Sequence, residues 1–384
     1  MLQQVIKREL RRLTSRKIYI FIMLIVPLGC GFFFLNMMNE GLPLKIPVGV
    51  IDLDHSSMSR KVTRTLSASE MIDITSQPQS FNEALSEVKS GKLYGFFMIS
   101  TDFQQKVIDG EQPTLSFYSN MMFFIPGTLS YKGFKTVAVT TSGGVVKTTL
   151  VGMGANEETV GSLLQPLAID THPLNNPWSS YSIYLNQSFI PCLLALMVLL
   201  TTVFSICDEI KHSTSPQWMR LSRGNIAIAL AGKLLPQTVI FAAVGIALQS
   251  IMFGFLHLPL NCHPLAMISA MLLLVMATQA FAVVLVEIIP NLRLALSTAS
   301  LIGILCFSIA GFSFPVENMY GGVAIFSYIV PIRYYFLIYV DQALNGIPLY
   351  YSRLYYAVLL GFILLPTLGL RRLAGKLTNP VYVP

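Results

Sequence analysis

The stretch IYIFIMLIVPLGCGFFFLNMM, residues 18–38, decides the class of fold because it contains no charged side chain. A helix needs about 20 apolar residues to cross the roughly 30 Å of bilayer hydrocarbon, and this stretch is long enough. Comparable apolar stretches recur at about 185–207, 226–253, 265–288, 294–314 and 355–370. The sequence therefore predicts an α-helical polytopic membrane protein with six transmembrane helices.

Composition supports a membrane protein and argues against other classes. Charged residues make up 12% of the 384 residues and hydrophobic residues 53%, whereas soluble domains carry about 25% charged residues. The net charge of +7 would suit a nucleic-acid-binding protein, but the basic residues collect beside apolar stretches rather than along a stripe. Nucleic acid is therefore not an expected partner. We also expect no metal site, and interpret His257, Cys262 and His263 as part of a solvated loop.

The first segment, residues 1–17, has the pattern of a helix that lies on a membrane surface. Its apolar residues Val5, Ile6, Leu10 and Leu13 fall at helical spacing, with basic residues between them. Such helices place their lysines and arginines among lipid headgroups. We predict a cytoplasmic interfacial amphipathic helix that contacts membrane lipids.

Between the first two spans, residues 39–184 have the composition of a soluble domain. The run IPVGVI at 46–51 predicts a buried strand. Further strands are predicted at 71–75, 94–99 and 115–118, with helices at 56–67, 81–89 and 102–108. Residues 123–164 favour helices packed on the sheet. The alternation predicts an α/β domain inserted between the first and second spans.

The basic residues predict the orientation of the chain. With the N-terminus inside, cytoplasmic segments contain Lys7, Arg8, Arg11, Arg12, Arg16, Lys17, Lys211, Arg220, Arg223, Lys233, Arg293, Arg371, Arg372 and Lys376. The short outer segments after the large domain contain Arg333 and Arg353. Positive residues favour the cytoplasmic side. We therefore expect both termini in the cytoplasm, the 39–184 domain outside, and a multi-pass protein of the bacterial inner or plasma membrane.

Residues 315–338 are apolar but interrupted. Pro315, Gly321, Gly322 and Pro331 divide this stretch into pieces too short to cross a bilayer. Irregular backbone at membrane depth is tolerated where protein shields it. We predict an outer re-entrant segment over 315–338, within the region 185–384 that carries spans two to six.

The polar segment DEIKHSTSPQWMRLSRGN, residues 208–225, separates the second and third spans and is predicted to be a cytoplasmic loop. One interpretation is an interfacial loop held by Trp218 at the headgroups. The other is a short coupling helix that docks into a partner, with Asp208 and Glu209 meeting basic residues there. The sequence leaves both interpretations open.

Four motifs carry a resemblance to a known family. The motif GKLLP at 232–236 follows the acidic residues and the short helix, AGFSFP occupies 310–315, and PIRYY occupies 331–335. The motif IPVGVID at 46–52 fits the opening strand of a large inserted domain. Together they resemble the ABC type-2 permease family, in the multidrug-exporter-like subgroup with a large domain between the first two spans. That family usually has Gly-Thr where Ser213 and Thr214 stand.

The resemblance implies the permease subunit of an ATP-driven exporter that works by alternating access. It implies a homodimer, or a heterodimer with a paralogous permease, and a separate ABC ATPase subunit that binds ATP and magnesium. The implied ATPase-coupling residues are Asp208, Glu209, Ser213, Thr214, Trp218 and Arg220. An apolar path suggests a hydrophobic or amphipathic substrate, such as a drug or a lipid-like molecule. A periplasmic adaptor and an outer-membrane channel are further partners to consider.

Polar and aromatic residues at membrane depth supply the candidates for a translocation path. Polar side chains there are costly and often functional. We predict Gln279, Phe307 and Phe312 on the path, and Phe314, Pro315, Glu317 and Arg333 at an outer gate, with Glu317 paired to Arg333. For Gln249, Gln279 and Glu287 the plain alternative is hydrogen bonding between helices. For the phenylalanines it is ordinary packing.

Two other classes of function compete with the exporter. The nearest approach to a phosphate-binding loop, Gly369 to Lys376, has the wrong glycine spacing and is followed by Leu377 rather than Ser or Thr. We therefore predict no nucleotide site, cofactor or catalytic residue on this chain, which disfavours a membrane-embedded enzyme. A membrane-anchored envelope assembly or receptor protein would leave several spans unexplained.

Overall fold

A computed structural model describes residues 1–39, 41–152, 154, 156, 160, 174–176 and 180–381 of the chain. Its contacts divide the chain into two units. One unit comprises Met1–Gly41 and Pro173–Pro384, and the other comprises Leu42–His172. The second unit is narrower than the predicted domain of 39–184.

Among the described residues of the first unit, six helices are long and apolar enough to cross a membrane. The first to sixth spans are Lys17–Met37, Tyr181–Lys211, Ile226–Phe255, Pro264–Ile288, Leu292–Ile309 and Leu349–Leu368. Each corresponds to a predicted span. The second span extends beyond its predicted limits because the helix continues through polar residues, from Ser182 at one end to Asp208 and Glu209 at the other.

The segment between the fifth and sixth spans is broken, as predicted. Helix α7 covers Gly321–Ile329 and helix α8 covers Pro331–Leu344, and the two meet at an angle of 82°. Val330 between them is extended, which is the conformation that a following proline favours. The second helix runs past the predicted end at 338 because its last turn, Tyr339–Leu344, is a π-helix. By length and composition alone, the bent pair could also count as one further span.

Three further helices in the described part of the first unit lie outside the spans. The N-terminal helix α1 covers Leu2–Ser15, the loop helix α6 covers Ser215–Leu221, and the C-terminal helix α9 covers Leu370–Thr378. Val5 of α1, Trp218 of α6 and Leu373 of α9 belong to one buried apolar cluster. That cluster defines the α1 end of the bundle, where the second span ends and the third begins.

The second unit contains a four-stranded sheet in the order β2-β1-β3-β4. The strands are Ile46–Asp52, Ile72–Ser76, Gly95–Ile99 and Leu115–Ser119. The first three are parallel, and β4 runs antiparallel to β3. Each predicted strand is confirmed to within about one residue.

Four helices accompany this sheet. They are α2 at Ser57–Ser67, α3 at Phe81–Lys89, α4 at Phe103–Ile108 and α5 at Phe124–Gly152. Serine side chains cap the first two, since Ser56 accepts from the Ser59 amide and Ser80 from the Glu83 amide. The helical interpretation of 123–164 is confirmed as far as Gly152, and its last residues fall largely outside the described part.

Candidate functional site at the α1 end

Helix α1 lies directly against the start of the third span. Its buried side chains are Val5, Glu9 and Leu13, which share one face. The close approach requires a glycine, because a Cβ atom at Gly232 would lie 2.7 Å from the Cβ of Val5. The amphipathic helix predicted from the sequence is therefore packed onto the bundle through its apolar face.

Two acidic residues at the end of the second span bind three arginines of α1. Arg8 donates to both carboxylate oxygens of Glu209, over 2.7 and 2.8 Å. Arg12 bridges Glu209 and Asp208, and Arg16 donates to Asp208 over 2.6 Å. Bidentate guanidinium–carboxylate pairs combine charge with fixed geometry. These contacts hold α1 to the second span.

The same cluster continues onto the third span. The Lys233 ammonium lies 2.9 Å from Glu9 and 3.0 Å from Glu209. Gln237 donates to the other oxygen of Glu9 over 3.0 Å. Lys233 and Glu209 are both fully buried, and buried charges are tolerated when they are paired. We refer to Arg8, Glu9, Arg12, Arg16, Asp208, Glu209, Lys233 and Gln237 as the ion cluster.

The charged state of the cluster is maintained by its own members. Burial of the Arg12 guanidinium favours the neutral form, but the neighbouring carboxylates, led by Glu209, outweigh this effect and raise the pKa of Arg12. Four cations face three carboxylates in the cluster, and Glu209 alone binds Arg8, Arg12 and Lys233. The charges of the cluster are thus paired with one another.

The loop helix α6 is attached to the cluster through two side chains. The indole of Trp218 is fully buried and donates to the carbonyl of Ala229 over 3.1 Å, and the Lys233 ammonium lies 4.9 Å from its ring centroid. Thr214 donates to Glu209 over 2.5 Å. The loop is therefore a folded part of the bundle rather than a free linker.

The geometry bears on both interpretations of this loop. In the coupling interpretation Asp208 and Glu209 meet basic residues of a partner, whereas in the structure the arginines that bind them belong to α1 of the same chain. Trp218 was expected at the headgroups in one interpretation, and it is buried under the third span instead. Ser213 and Arg220 are exposed. The coupling role of these residues stays a prediction.

The remaining cluster residues were missed by sequence reasoning, although a signal was present. Glu9 is an acidic residue on the apolar face of an otherwise basic helix, and Lys233 is a cation at the start of an apolar span. Each is an unusual charge in its own segment. Together they indicate that the two segments pair.

The path candidates lie in two separate places. Gln279 accepts from Thr238 over 2.6 Å, which links the third and fourth spans by an interhelical hydrogen bond. Phe307 and Phe312 both contact Phe189 of the second span, with ring centroids 5.6 and 6.1 Å apart. We refer to Phe34, Phe189, Phe307, Phe312 and Phe336 as the aromatic cluster, since each ring contacts another member. Sequence reasoning missed Phe34, Phe189 and Phe336.

The predicted pair at the outer gate is not formed. Glu317 is exposed, as are Phe314 and Pro315. Arg333 is buried, its Nη1 donates to the carbonyl of Ala310 over 3.5 Å, and its guanidinium lies 4.9 Å from the Tyr328 ring centroid. In the described part of the chain Glu317 and Arg333 therefore do not meet, because the arginine points into the turn that follows the fifth span.

Intramembrane hydrogen bonding between helices is confirmed for Gln249 and Gln279, but not for Glu287. The carboxyl group of Glu287 packs against Gly369, at the start of α9. Its Oε1 atom has no hydrogen-bond partner among the described residues. The same residues contain no group of three or more His, Cys, Asp or Glu side chains that could hold a metal ion.

A first prediction tests the docking of α1. The Gly232→Ala substitution is expected to destabilise the protein by about 1–3 kcal/mol, because the added methyl group collides with Val5 and overpacks the contact. Thermal unfolding of the purified protein in detergent measures the effect. Gly361→Ala is the matched control, since nothing lies within 4 Å of a Cβ there. Equal stability of the two variants would contradict the close approach.

Comparison with known proteins agrees with this architecture. The family described as ABC-2 family transporter protein matches residues 17–370. A comparison with curated proteins finds no match. The match includes all six spans, the inserted unit and the loop that carries α6. Membrane subunits of this family are generally not catalytic and pair with a separate ABC ATPase subunit. The chain is a multi-pass membrane protein that belongs to the ABC-2 transporter family.

Proposed function

We propose that this chain is the permease subunit of an ATP-driven exporter. Its substrate would be a hydrophobic or amphipathic molecule, either a drug or a lipid, moved out of the cytoplasm or the inner leaflet by alternating access. The ion cluster carries this proposal, because its contacts connect α1, α6, the end of the second span and the start of the third span. A displacement of α6 would therefore reach the second and third spans directly.

The surface offered to an ATPase subunit would be the exposed face of the loop. Lys211, Ser213, Gln217, Arg220 and Arg223 are exposed there, while Asp208, Glu209 and Trp218 are buried beneath them. In this arrangement the exposed residues receive the partner and the buried residues transmit its motion. ATP and magnesium would bind to the partner subunit.

A dimer would provide the path between two copies, or between this chain and a paralogous permease. Large apolar side chains of the first and fifth spans are exposed on this chain, among them Phe32, Phe33, Leu301 and Ile304. The aromatic cluster lies between these two spans and the second span. It would close the path at the end of the bundle opposite α1.

The orientation belongs to the same proposal. Both termini and α6 would face the cytoplasm, since the basic residues of short segments collect at the α1 end. The α/β unit would then lie outside, where it could hand substrate to a periplasmic adaptor and an outer-membrane channel. The protein would reside in the cell membrane.

Reconstitution tests the function directly. The chain and its ATPase subunit are placed in vesicles, and ATP-driven movement of a fluorescent amphipathic dye is measured. Movement is expected to require both subunits, and a vesicle with an ATPase-inactive partner provides the baseline. Dye movement that is independent of the ATPase subunit would contradict the proposal.

A second prediction separates the docking surface from the fold. Arg220→Glu is expected to lower dye-stimulated ATPase activity at least about tenfold, because it reverses a charge on the exposed face of α6. Its thermal stability is expected to change little, since exposed substitutions cost about 0.5 kcal/mol or less. Arg353→Glu, which changes an exposed arginine in the first turns of the sixth span, is the control. Full activity of Arg220→Glu would contradict the assigned surface.

A further inference from the structure

A groove of about 340 Å³ lies between the end of the third span and the start of the fourth, at the end of the bundle opposite α1. Its walls are mainly apolar and include Ile246, Phe253, Leu260 and Met267. Gly254 leaves one side open, since nothing lies within 4 Å of a Cβ atom built there. The groove therefore has an open side at the surface of the bundle.

One buried polar group of this groove has an unused hydrogen-bonding atom. Gln249 is 3% exposed, and its Nε2 donates to the carbonyl of Met267 and to the hydroxyl of Tyr335, over 3.1 and 3.0 Å. Its Oε1 accepts no hydrogen bond from any residue that the structure describes. The Met267 carbonyl fixes the orientation of the amide, because it can only accept a hydrogen bond and a flipped amide would place Oε1 against it. The lining Ser250, by contrast, is satisfied, because its hydroxyl donates to the carbonyl of Ile246.

An unpaired acceptor at this position calls for a donor from outside the chain. A buried acceptor without a partner costs about 1–3 kcal/mol. The backbone beside Gln249 is also irregular, because Ser250–Phe255 form a π-helix. Such π-helical turns are frequent at functional sites.

The depth of Gln249 identifies the kind of molecule that can reach it. The third span has 30 residues, or about 45 Å of helix, which matches a bilayer including both headgroup layers. Gln249 precedes the end of that span, Phe255, by about 9 Å of helix. Its amide therefore lies near the boundary between the headgroups and the hydrocarbon.

From these observations we infer that the groove is a binding site for one phospholipid whose headgroup carries a hydroxyl or ammonium donor. The donor bonds to Oε1 of Gln249, and an acyl chain lies along Ile246 and Met267. Phosphatidylethanolamine and phosphatidylglycerol carry such donors, whereas the quaternary ammonium of phosphatidylcholine has none. The site is independent of the transport cycle and of the orientation proposed above.

Photo-crosslinking tests this preference. Benzoylphenylalanine replaces Phe253 in the full chain, which is reconstituted in vesicles with equal amounts of phosphatidylethanolamine, phosphatidylglycerol and phosphatidylcholine. Mass spectrometry of the adducts is expected to show the two donor lipids enriched about fivefold over phosphatidylcholine, the preference that one hydrogen bond supplies. The same probe at Leu360, an exposed residue of the sixth span, is expected to show no enrichment.

Two variants identify the cause of the preference. Gln249→Leu removes the acceptor and is expected to abolish the enrichment at position 253. Gly254→Leu fills the groove but keeps Gln249 and its contacts, so it is expected to reduce total lipid capture at 253 several-fold while the protein remains folded. Equal capture of all three lipids by the otherwise unchanged chain would overturn the inference. Enrichment that persists in Gln249→Leu would overturn it as well.

Discussion

Replacing Glu209 with alanine is expected to lower the free energy of unfolding by about 3–5 kcal/mol, as when one partner of a buried ion pair is removed. Glu209 is fully buried and binds Arg8, Arg12 and Lys233. Its loss leaves four cations facing two carboxylates, and the Lys233 ammonium among them is fully buried. A denaturant titration of the protein in mixed micelles measures the change.

Three control variants test whether the loss of stability in Glu209→Ala comes from the buried ion pairs. Glu317→Ala removes an exposed carboxylate from the same chain and is expected to change stability by less than about 0.5 kcal/mol. Glu209→Gln removes the charge but keeps the size of the side chain and an oxygen that accepts from Arg8, so it is expected to cost less than Glu209→Ala. Asp208→Ala leaves the Lys233 pair intact and is expected to cost less than Glu209→Ala. A Glu209→Ala variant as stable as Glu317→Ala would contradict the buried cluster.

The Glu209→Ala variant also tests how motion of α6 is transmitted to the second span. In Glu209→Ala the Thr214 contact of the loop is lost together with the arginine contacts. Motion of α6 would then pass less directly to the second span. We expect ATPase activity of the assembled complex to persist at low temperature, where the protein remains folded, while dye transport per ATP falls.

The membrane architecture was predictable because each span is a local property of the sequence. Length, apolarity and breaks at Pro315 and Pro331 determine where helices cross or bend, and no distant contact is needed to recognise them. The strands of the inserted unit were equally local, since short apolar runs bounded by turn residues mark them. The end of α8 was missed because a π-helix carries Asp341 and Gln342 beyond the apolar run.

The ion cluster was not predictable in the same way, because its partners lie far apart in sequence. Arg8 and Glu209 are separated by 201 positions, and Glu9 and Lys233 by 224. A single sequence shows that each charge is unusual but not which charges meet. The expected pair of Glu317 and Arg333 lies close in sequence and is still not formed. Opposite charge and short separation do not fix the direction in which a side chain points.

Replacing Phe189 with alanine is the second change for which we expect a large effect. Its ring contacts Phe34 at 5.9 Å, Phe307 at 5.6 Å and Phe312 at 6.1 Å, so it joins the first, second and fifth spans. Truncation is expected to cost about 2–4 kcal/mol, somewhat less than for a fully enclosed phenylalanine. Phe255→Ala is the matched control, because Phe255 is 78% exposed at the end of the third span.

Transport distinguishes packing from gating at this cluster. If the rings close the path, Phe189→Ala vesicles are expected to leak dye without ATP, and ATP-driven accumulation is expected to fall about tenfold. Phe189→Leu restores most of the volume but not the edge-to-face ring contacts, which contribute about 0.5–1.5 kcal/mol. Phe189→Leu is therefore expected to recover most of the stability but to remain leaky to dye. Recovery of both properties together would assign the cluster to packing alone, and a stable, tight Phe189→Ala would remove it from either role.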